Sequence, residues 1–195
     1  MLTPQVIEPE NIDVTQTDLI ALQSCFVRRM REVPGAVAVI ATIDGGKRRG
    51  LTATAWCSLS ADPPAMLVCV NRDESAHDFI VRSRIFSINQ LATNHAVTIE
   101  IFSNRRGLSG ADRFLEGHWR SGLRGTPLFV HGVTVYECIG VGHLIYGTHS
   151  IFVGQIIHIE ESSNRPIPAV YHNGSVAMVS PPNKVPYPHL IDSRP

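Results

Sequence analysis

The sequence predicts a mainly β fold with peripheral helices, arranged as an antiparallel barrel. At least six short apolar runs are separated by Gly, Pro, Asn and Asp, which is typical of strands joined by turns. Only two or three segments space their apolar residues as a helix does. The chain has 195 residues, which fits one domain with tails. A single domain with this many strands and so few helices favours a barrel.

The composition excludes two classes of protein. Lys and Arg total 17, as do Asp and Glu, so the formal net charge is zero and a nucleic-acid binder is not expected. Hydrophobic residues make up 44% of the chain, which argues against disorder. Charged residues make up only 17%, against about 25% in a typical domain. So little charge predicts that part of the surface is covered, most simply by a second copy of the chain.

The sequence indicates a cytoplasmic protein that does not contact membranes. A membrane helix needs roughly 20 apolar residues, and the longest nearly apolar run is Val33–Ile43. The N-terminus has no basic start followed by an apolar stretch, so a signal peptide is not expected. The cysteines form no C-x-x-C pair and are predicted to be small buried hydrophobic residues in a reducing cytosol. They are Cys25, Cys57, Cys69 and Cys138.

The first half of the chain begins with an irregular arm over residues 1–14 and a helix. Thr15 or Thr17 is expected to cap this helix, which runs to Val33 before Pro34-Gly35 ends it. Apolar residues at helical spacing support it, namely Leu19, Leu22, Phe26 and Met30. A turn at 44–46 then predicts a β-hairpin between Ala36–Ile43 and a strand from Leu51.

After Pro63-Pro64 the pattern alternates between strands and short helices. The predicted elements are a strand over Met66–Asn71, a helix over Glu74–Ser83 with Ala76, Phe79 and Ile80 inward, a strand over Phe86–Gln90, and a helix over Asn94–Phe102 capped by Asn94. Residues 103–126 hold five Gly and five Arg, and so long an irregular segment is usually functional. Further strands are expected over Leu128–Val130, Gly132–His143, Ser150–Glu161 and Ala169–His172. We therefore expect one domain over 15–180 and a proline-rich tail over 181–195.

The stretch from Gly50 to Ser60 carries the most information about function. If it is one strand, alternation places Leu51, Ala53, Ala55, Cys57 and Leu59 on one apolar face. The other face holds Thr52, Thr54, Trp56, Ser58 and Ser60, which is a row of hydroxyls around one indole. Such a face is either an ordinary solvated surface or a groove for a flat polar ligand, because hydroxyls bind ring carbonyls and phosphates without adding charge.

These residues resemble a known family. The stretch from Gly50 to His77 is similar to the signature of the flavin reductase family, the small reductase components of two-component flavin monooxygenases. Further pieces resemble that family in the same order, from about Phe26 to Val179. They are Phe86-Ser-Ile-Asn89, Asp112-Arg113-Phe114, Trp119, Pro127, Glu137-Cys138, Thr148-His149 with Phe152-Val-Gly154, and Tyr171-His-Asn-Gly174.

The resemblance implies a split β-barrel of Greek-key, FMN-binding type that works as a homodimer with flavin near the subunit interface. It implies hydride transfer from NADH, or NADPH, to FMN or FAD. Reduced flavin would then reach a partner monooxygenase or another acceptor, such as the cobalt of a corrinoid (cob(II)yrinic acid a,c-diamide) in cobalamin biosynthesis. A non-catalytic flavin-binding module and a purely structural barrel remain alternative readings.

The resemblance also assigns the ligand contacts. The ring and ribityl chain of the flavin would contact Thr52, Ala53 and Thr54, and its tail Ser58 and Ser60. Asn89, at the end of the strand that resembles the same signature, is also expected among the cofactor-binding residues. The phosphate end would meet a polar group at the start of the second helix, with Arg82 adding charge. That group is Asn71, Arg72, Ser75 and His77.

His149 is the candidate nicotinamide-site residue, because the family places the histidine of its Gly-Asp-His triplet there. Thr148 stands where that family has Asp.

Arg105, Arg106 and Arg113 are candidates for the dinucleotide pyrophosphate. Trp119 and Phe114 either cover the flavin or anchor their loop to the core. The nine histidines form no H-x-H, H-x-x-H or H-E-x-x-H pattern, so a metal site is not expected.

Overall fold

Three α-helices, one 3₁₀ helix and twelve strands make up residues 15–179, the part of the chain that the computed structural model describes. The helices are α1 (Gln16–Met30), α2 (His77–Ser83) and α3 (Ala96–Phe102), and the 3₁₀ helix is Gly110–Phe114. The strands are β1 (Gly35–Ala36), β2 (Ala38–Asp44), β3 (Lys47–Ala53), β4 (Trp56–Ala61), β5 (Pro64–Asn71), β6 (Ile85–Gln90), β7 (Trp119–Ser121), β8 (Pro127–Phe129), β9 (Thr134–Tyr146), β10 (His149–Glu161), β11 (Ala169–His172) and β12 (Ser175–Met178).

Seven of the strands form one antiparallel sheet in the order β3-β2-β6-β9-β10-β5-β4. Its two edge strands, β3 and β4, follow each other in the chain and are separated only by Thr54 and Ala55. The sheet must therefore curl until its edges meet at this corner, yet β3 and β4 are not hydrogen-bonded to each other. The result is a barrel with an open seam, which confirms the predicted mainly β class of the split-barrel type.

Strand β2 explains how one sheet supports two cores. Ala38 and Ile40 face a cluster inside the curled sheet, together with Val68, Phe86 and Phe152. The alternate residues of β2 belong to a second cluster on the outer side, which α3 and the 103–126 segment cover. That cluster includes Val37, Val39, Ala41, Leu91, Ile99, Ile101, Phe102, Phe114 and Phe129. Burial on both faces fits the almost continuous apolar run that this strand shows in the sequence.

Helix α1 begins where the sequence predicts it but ends at Met30 rather than Val33, and its apolar side is uncovered. Thr15 caps the helix, because its hydroxyl oxygen accepts a hydrogen bond from the Asp18 amide at 3.2 Å. No residue of α1 is buried, and Leu22 and Phe26 are 63% and 61% exposed. Within residues 15–179, this amphipathic helix therefore has no core contact that accounts for its apolar residues.

Several predicted boundaries are corrected. Helix α2 begins at His77 rather than Glu74, and His95 rather than Asn94 precedes α3, with no side-chain cap. Strand β12 was not anticipated; it pairs with β11 around a turn at Asn173-Gly174. The predicted arm at 1–14 and the tail at 181–195 lie outside the described residues. None of the helices within 15–179 is both long and apolar enough to cross a membrane.

The 103–126 segment is ordered by buried polar groups. The Arg113 side chain is 5% exposed and donates hydrogen bonds to the carbonyls of Leu108 and Gly50 and to Asn104. Glu137 of β9 is fully buried, and its carboxylate accepts three bonds from the end of the segment. The donors are the amides of Leu123 and Arg124 and the hydroxyl of Thr126, at 2.7–2.9 Å.

Candidate functional site

A cleft of about 270 Å³ lies where β3 ends, and it contains three of the predicted flavin contacts. Thr52, Ala53 and Thr54 form one wall of this hydroxyl cleft. The Thr52 hydroxyl donates to the carbonyl of Ile99 at 3.3 Å and so ties β3 to α3. The opposite lining comes from α3, the segment after it and the β11–β12 hairpin, with Ser103, Arg105, Tyr171, Gly174 and Ser175 among its members.

The β3–β4 break overturns the predicted alternation along Gly50–Ser60. Thr54 and Ala55 are not part of the ladder, so the faces invert between the two strands. Trp56 turns toward the inner core and donates its indole N–H to the carbonyl of Ala36 at 2.9 Å. Cys57 is exposed instead of buried, which also corrects the expectation that all four cysteines are buried.

The break lies beside the other predicted ligand groups. The amide of Cys69 donates to the carbonyl of Ala55 at 2.8 Å, which places the break two residues from Asn71 on β5. Asn71 is the strand partner of His149 on β10. One end of the sheet therefore carries the hydroxyl cleft, the end of β5 and the start of β10 side by side. Ser58 and Ser60 lie farther along edge strand β4, both exposed.

A second, more polar cleft of about 450 Å³ opens at this end of the sheet. Arg72, Asp73, His77 and Thr148 are among its lining residues. The Arg72 amide donates to the carbonyl of Thr148 at 2.9 Å, which joins the loop after β5 to the turn before β10. Ser75 is exposed in the same loop but does not line the cleft.

His77 is held on both sides of its ring. Its Nδ1 lies 2.8 Å from Asp78 Oδ1, and its Nε2 lies 2.8 Å from the hydroxyl of Ser150, which is fully buried. The hydrogen bond from His77 lowers the pKa of Asp78, with a further contribution from the charges of Arg82 and Arg72. With both ring nitrogens engaged, His77 locks α2 to the start of β10 and has no free donor for a phosphate.

His149 is exposed at the first position of β10. Its Nδ1 lies 2.9 Å from the hydroxyl of Thr148, the residue that stands in the place of the family's Asp. The threonine hydroxyl therefore orients the imidazole, as a carboxylate would, but without its negative charge. The Nε2 side of the ring has no hydrogen-bond partner among residues 15–179.

Only one of the three candidate loop arginines faces the hydroxyl cleft, namely Arg105. Arg106 forms an ion pair with Glu100 at 2.8 Å, and Arg113 is buried as described above. Arg82, predicted near the flavin phosphate, instead pairs with Asp44 at 2.7 Å and stacks on the Phe79 ring. The structure therefore does not bring Arg82, Arg106 or Arg113 into either cleft.

Asn89 has a structural role rather than contact with a ligand. It is fully buried, and its amide donates to the Val39 carbonyl and the Ser87 hydroxyl while its oxygen accepts from the Phe129 amide. Phe114 and Trp119 pack on Phe102, with ring centroids 5.0 and 5.3 Å away. Of the two readings left open for these aromatic residues, anchoring the loop to the core fits the structure.

Sequence reasoning missed part of the hydroxyl cleft. Ser103, Ser175 and Tyr171 complete the lining, and they come from segments that are far apart in the chain. No sequence spacing relates them to Thr52, because the β11–β12 hairpin meets β3 only through the fold. Among residues 15–179, no Asp or Glu lines this cleft, so the polar character that they give it comes from hydroxyls and one guanidinium. Within the described residues, no three potential metal ligands are grouped together.

Comparison with known proteins gives a consistent result. The model of the flavin reductase like domain matches residues 30–180. The NADH-dependent FMN reductase RutF of Ancylobacter novellus is 33% identical over 132 residues, 67% of this chain and 72% of that protein. The reductase component of the FADH₂-dependent resorcinol hydroxylase of a Rhizobium species is 31% identical over 159 residues, 80% and 87% of the two chains.

A solved structure supports the same conclusion for the fold. The NADH:FAD oxidoreductase SgcE6 of Streptomyces globisporus, in complex with NAD and FAD fragments, superposes with a TM-score of 0.73. The two chains are 25% identical, and the match covers 86% of this chain and 96% of that one.

Proposed function

The chain belongs to the flavin reductase like domain family, and we propose that it is an NAD(P)H:flavin oxidoreductase that reduces FMN or FAD and releases it to a partner. The family match over residues 30–180 carries this proposal. Its relatives include an NADH-dependent FMN reductase and the reductase component of a hydroxylase.

The hydroxyl cleft fits a flavin. A flavin has a flat ring with polar edges and a hydroxylated tail, and it needs hydrogen bonds rather than opposing charge. Thr52, Thr54 and Ser103 supply hydroxyls, while Val37 and Ile99 supply apolar contact. A cleft of about 270 Å³ is smaller than the usual site for a drug-sized molecule, so it holds only part of a flavin. The remainder would lie along the exposed sheet edge toward Ser58 and Asn71.

The residues of the site position ligands and carry out no acid–base chemistry. When both ligands are bound, the nicotinamide supplies a hydride and the flavin accepts it. The protein must hold the two rings in contact, and the pairing of Asn71 with His149 beside the β3–β4 break places both candidate sites at one end of the sheet. His149, oriented by Thr148, would bind the nicotinamide end through its unpaired Nε2.

An open cleft lined mainly by hydroxyls and apolar side chains also suits a flavin that leaves after reduction. Deep burial and ion pairs would hold the ligand, whereas exposed hydroxyls give moderate affinity. The acceptor we propose is the oxygenase of a two-component system, which implies a cytoplasmic location where NADH is available. No feature of the structure over residues 15–179 favours a corrinoid acceptor, so direct reduction of a cobalt corrinoid is an outcome to test.

A second copy of the chain is the proposed partner for an apolar face of the sheet. Strands β4, β5, β10 and β9 place six residues in register on the side away from the inner core. This outer face consists of Cys57, Leu67, Cys69, Leu144, Ile151 and Val153. Leu144 is 48% exposed, and monomeric proteins rarely leave such contiguous apolar surface in water. Tyr146 and His149 continue the same face, so a homodimer would bring its interface to the nicotinamide site.

The test is to mix the purified protein with NADH or NADPH and with FMN, FAD or riboflavin, and to follow loss of the reduced-nicotinamide absorbance. Flavin-dependent oxidation is expected. Tight flavin binding without oxidation would instead show a carrier module, and the absence of both would refute the proposal. Addition of an oxygenase partner or a cobalt corrinoid then identifies the acceptor.

A further inference from the structure

A second guanidinium, that of Arg31, lies against Gly174, a residue that lines the hydroxyl cleft. Arg31 follows α1, and its carbonyl accepts a hydrogen bond from the Asn173 amide at 2.6 Å. This bond fixes the end of α1 against the β11–β12 turn. Gly174 of that turn lines the cleft.

The Arg31 side chain lies directly against Gly174. A Cβ atom at residue 174 would stand 3.5 Å from Cζ and 3.8 Å from Nε of Arg31, and it would collide with Nη2. Gly174 also has a φ of 85°, which other residues rarely adopt. The glycine therefore permits both the tight turn and the close approach of the guanidinium to the edge of the cleft.

Arg105 approaches the same cleft from the segment after α3. Neither Arg31 nor Arg105 has a carboxylate within 4.0 Å among residues 15–179. The acidic residues close to them in the chain form ion pairs with other arginines. Glu32 pairs with Arg29 at 3.0 Å, and Glu100 pairs with Arg106 at 2.8 Å. Arg29 and Arg106 are therefore neutralised by ion pairs. Their neighbours in the chain, Arg31 and Arg105, keep an unpaired charge near the cleft.

We propose that Arg31 and Arg105, with Gly174 between α1 and the cleft, form an anion subsite for a phosphate group of the nucleotide bound in the hydroxyl cleft. This deepens the proposed function and rests on it for the identity of the nucleotide. Guanidinium groups bind phosphate oxygens in a bidentate manner, and no carboxylate from the described part of the chain lines the cleft and opposes an anion. The phosphate comes from the flavin or from the pyrophosphate of the nicotinamide dinucleotide.

Direct binding tests the subsite without relying on turnover. Inorganic pyrophosphate and ADP-ribose would be titrated calorimetrically into the wild-type protein, R31Q, R105Q and the double variant. Arg28→Gln is the matched control, because it removes the same charge one turn earlier in α1. We expect affinity to fall about tenfold in each single variant and to be unchanged in R28Q. Failure of both probes to bind the wild type, or equal binding by all variants, would overturn the subsite.

Flavin titrations identify the source of the phosphate. FMN and riboflavin differ only in the phosphate, so a loss of affinity by R31Q for FMN but not for riboflavin assigns the subsite to the flavin. A loss for ADP-ribose with both flavins unaffected assigns it to the dinucleotide. An equal loss for riboflavin and FMN would show general damage to the cleft and refute the subsite. These binding measurements do not depend on reductase activity. A protein that binds the probes but shows no turnover would therefore refute the proposed function and leave the subsite intact.

Discussion

Glu137 is a buried carboxylate whose contribution to the free energy of unfolding can be measured. It is fully buried and accepts three hydrogen bonds from residues 123–126. In Glu137→Gln, the amide NH₂ would face one of these donors and leave it unsatisfied. We expect the free energy of unfolding to fall by about 2 kcal/mol, measured by urea denaturation.

Glu116→Gln provides the comparison for that substitution. Glu116 is exposed, so removal of its charge should leave stability nearly unchanged. Equal effects of the two substitutions would mean that the bonds from residues 123–126 to Glu137 do not stabilise the fold.

His149 can be tested by separating flavin binding from reaction with the nicotinamide. Its exposed imidazole, oriented by Thr148, is proposed to contact only the dinucleotide. For His149→Ala we expect kcat/KM for NADH to fall roughly tenfold, the equivalent of one hydrogen bond, with the dissociation constant of FMN unchanged. Steady-state kinetics and flavin fluorescence measure the two quantities.

His118→Ala is the control for His149→Ala, because His118 is exposed in a different part of the chain. Unaltered kinetics in His149→Ala, or a matching loss in the control, would remove His149 from the nicotinamide site.

The side chains show how far sequence could predict the site. Thr52, Ala53 and Thr54, which the resemblance assigns to one ligand, line one cleft, because neighbours at a strand end stay together in space. His77 and Asn89 were assigned ligand contacts from the resemblance to the family, yet both have their polar atoms engaged within the protein. Sequence reveals which groups can form hydrogen bonds, but only the fold decides which remain free.

The irregular link between β3 and β4 depends on strand β1 beneath it. A Cβ atom at Gly35 would lie 2.8 Å from the Cβ atom of Thr54, too close for both to keep their positions. Gly35→Ala should therefore displace Thr54 and weaken FMN binding roughly tenfold, as measured by quenching of flavin fluorescence.

Gly45→Ala separates this effect from a general loss of stability. Gly45 has a φ of 54° in an exposed turn with open space around it, so alanine adds strain there without touching the cleft. It should lower the melting temperature and leave FMN affinity intact. If Gly35→Ala also leaves FMN affinity intact, the cleft wall tolerates movement of Thr54.

His95, the residue before helix α3, should make the stability of the protein depend on pH. The imidazole Nδ1 accepts a hydrogen bond from the Ala92 amide at 3.0 Å, so the neutral ring is the one that fits. Burial lowers the pKa of His95 from its usual 6.5, and the charge of His131 lowers it further. The unfolded chain then binds more protons, so the free energy of unfolding should decrease as pH falls through about 6.5.

His95→Asn isolates this contribution. The asparagine oxygen can accept the Ala92 amide but does not titrate, so the decrease in stability below about pH 6.5 should become smaller. Urea unfolding at a series of pH values provides the measurement. An identical pH profile in the two proteins would assign the acid sensitivity to other groups.

Elements with a continuous pattern were predictable, and those defined by an interruption were not. Strand β2 and its hairpin with β3 follow from the apolar run and the glycine turn. The break at Thr54-Ala55 was missed because Thr and Ala both suit a strand, and the inversion of faces arises from closure of the curled sheet. Strand β12 was missed because its four residues, Ser175–Met178, gain a partner only through the turn at Gly174.

The low charge of the chain corresponds to particular uncovered surfaces of the molecule. The outer face of β4, β5, β10 and β9 consists of apolar side chains and cysteines in adjacent register. The apolar side of α1 is likewise exposed within residues 15–179. The composition could predict that surface is covered, but the sheet order was needed to show where.

A homodimer through the outer face makes a prediction for the whole molecule. Leu144→Asp would place a carboxylate among Ile151 and Cys69, its neighbours in register, and burial of that charge in an interface is unfavourable. We expect the wild type to elute as a dimer and L144D as a folded monomer, with molar mass measured by light scattering. Leu115→Asp is the control, because Leu115 is 79% exposed outside this face. Because His149 continues the face, the monomer should also lose NADH-dependent activity, whereas a fully active monomer would show that each subunit's nicotinamide site is complete by itself.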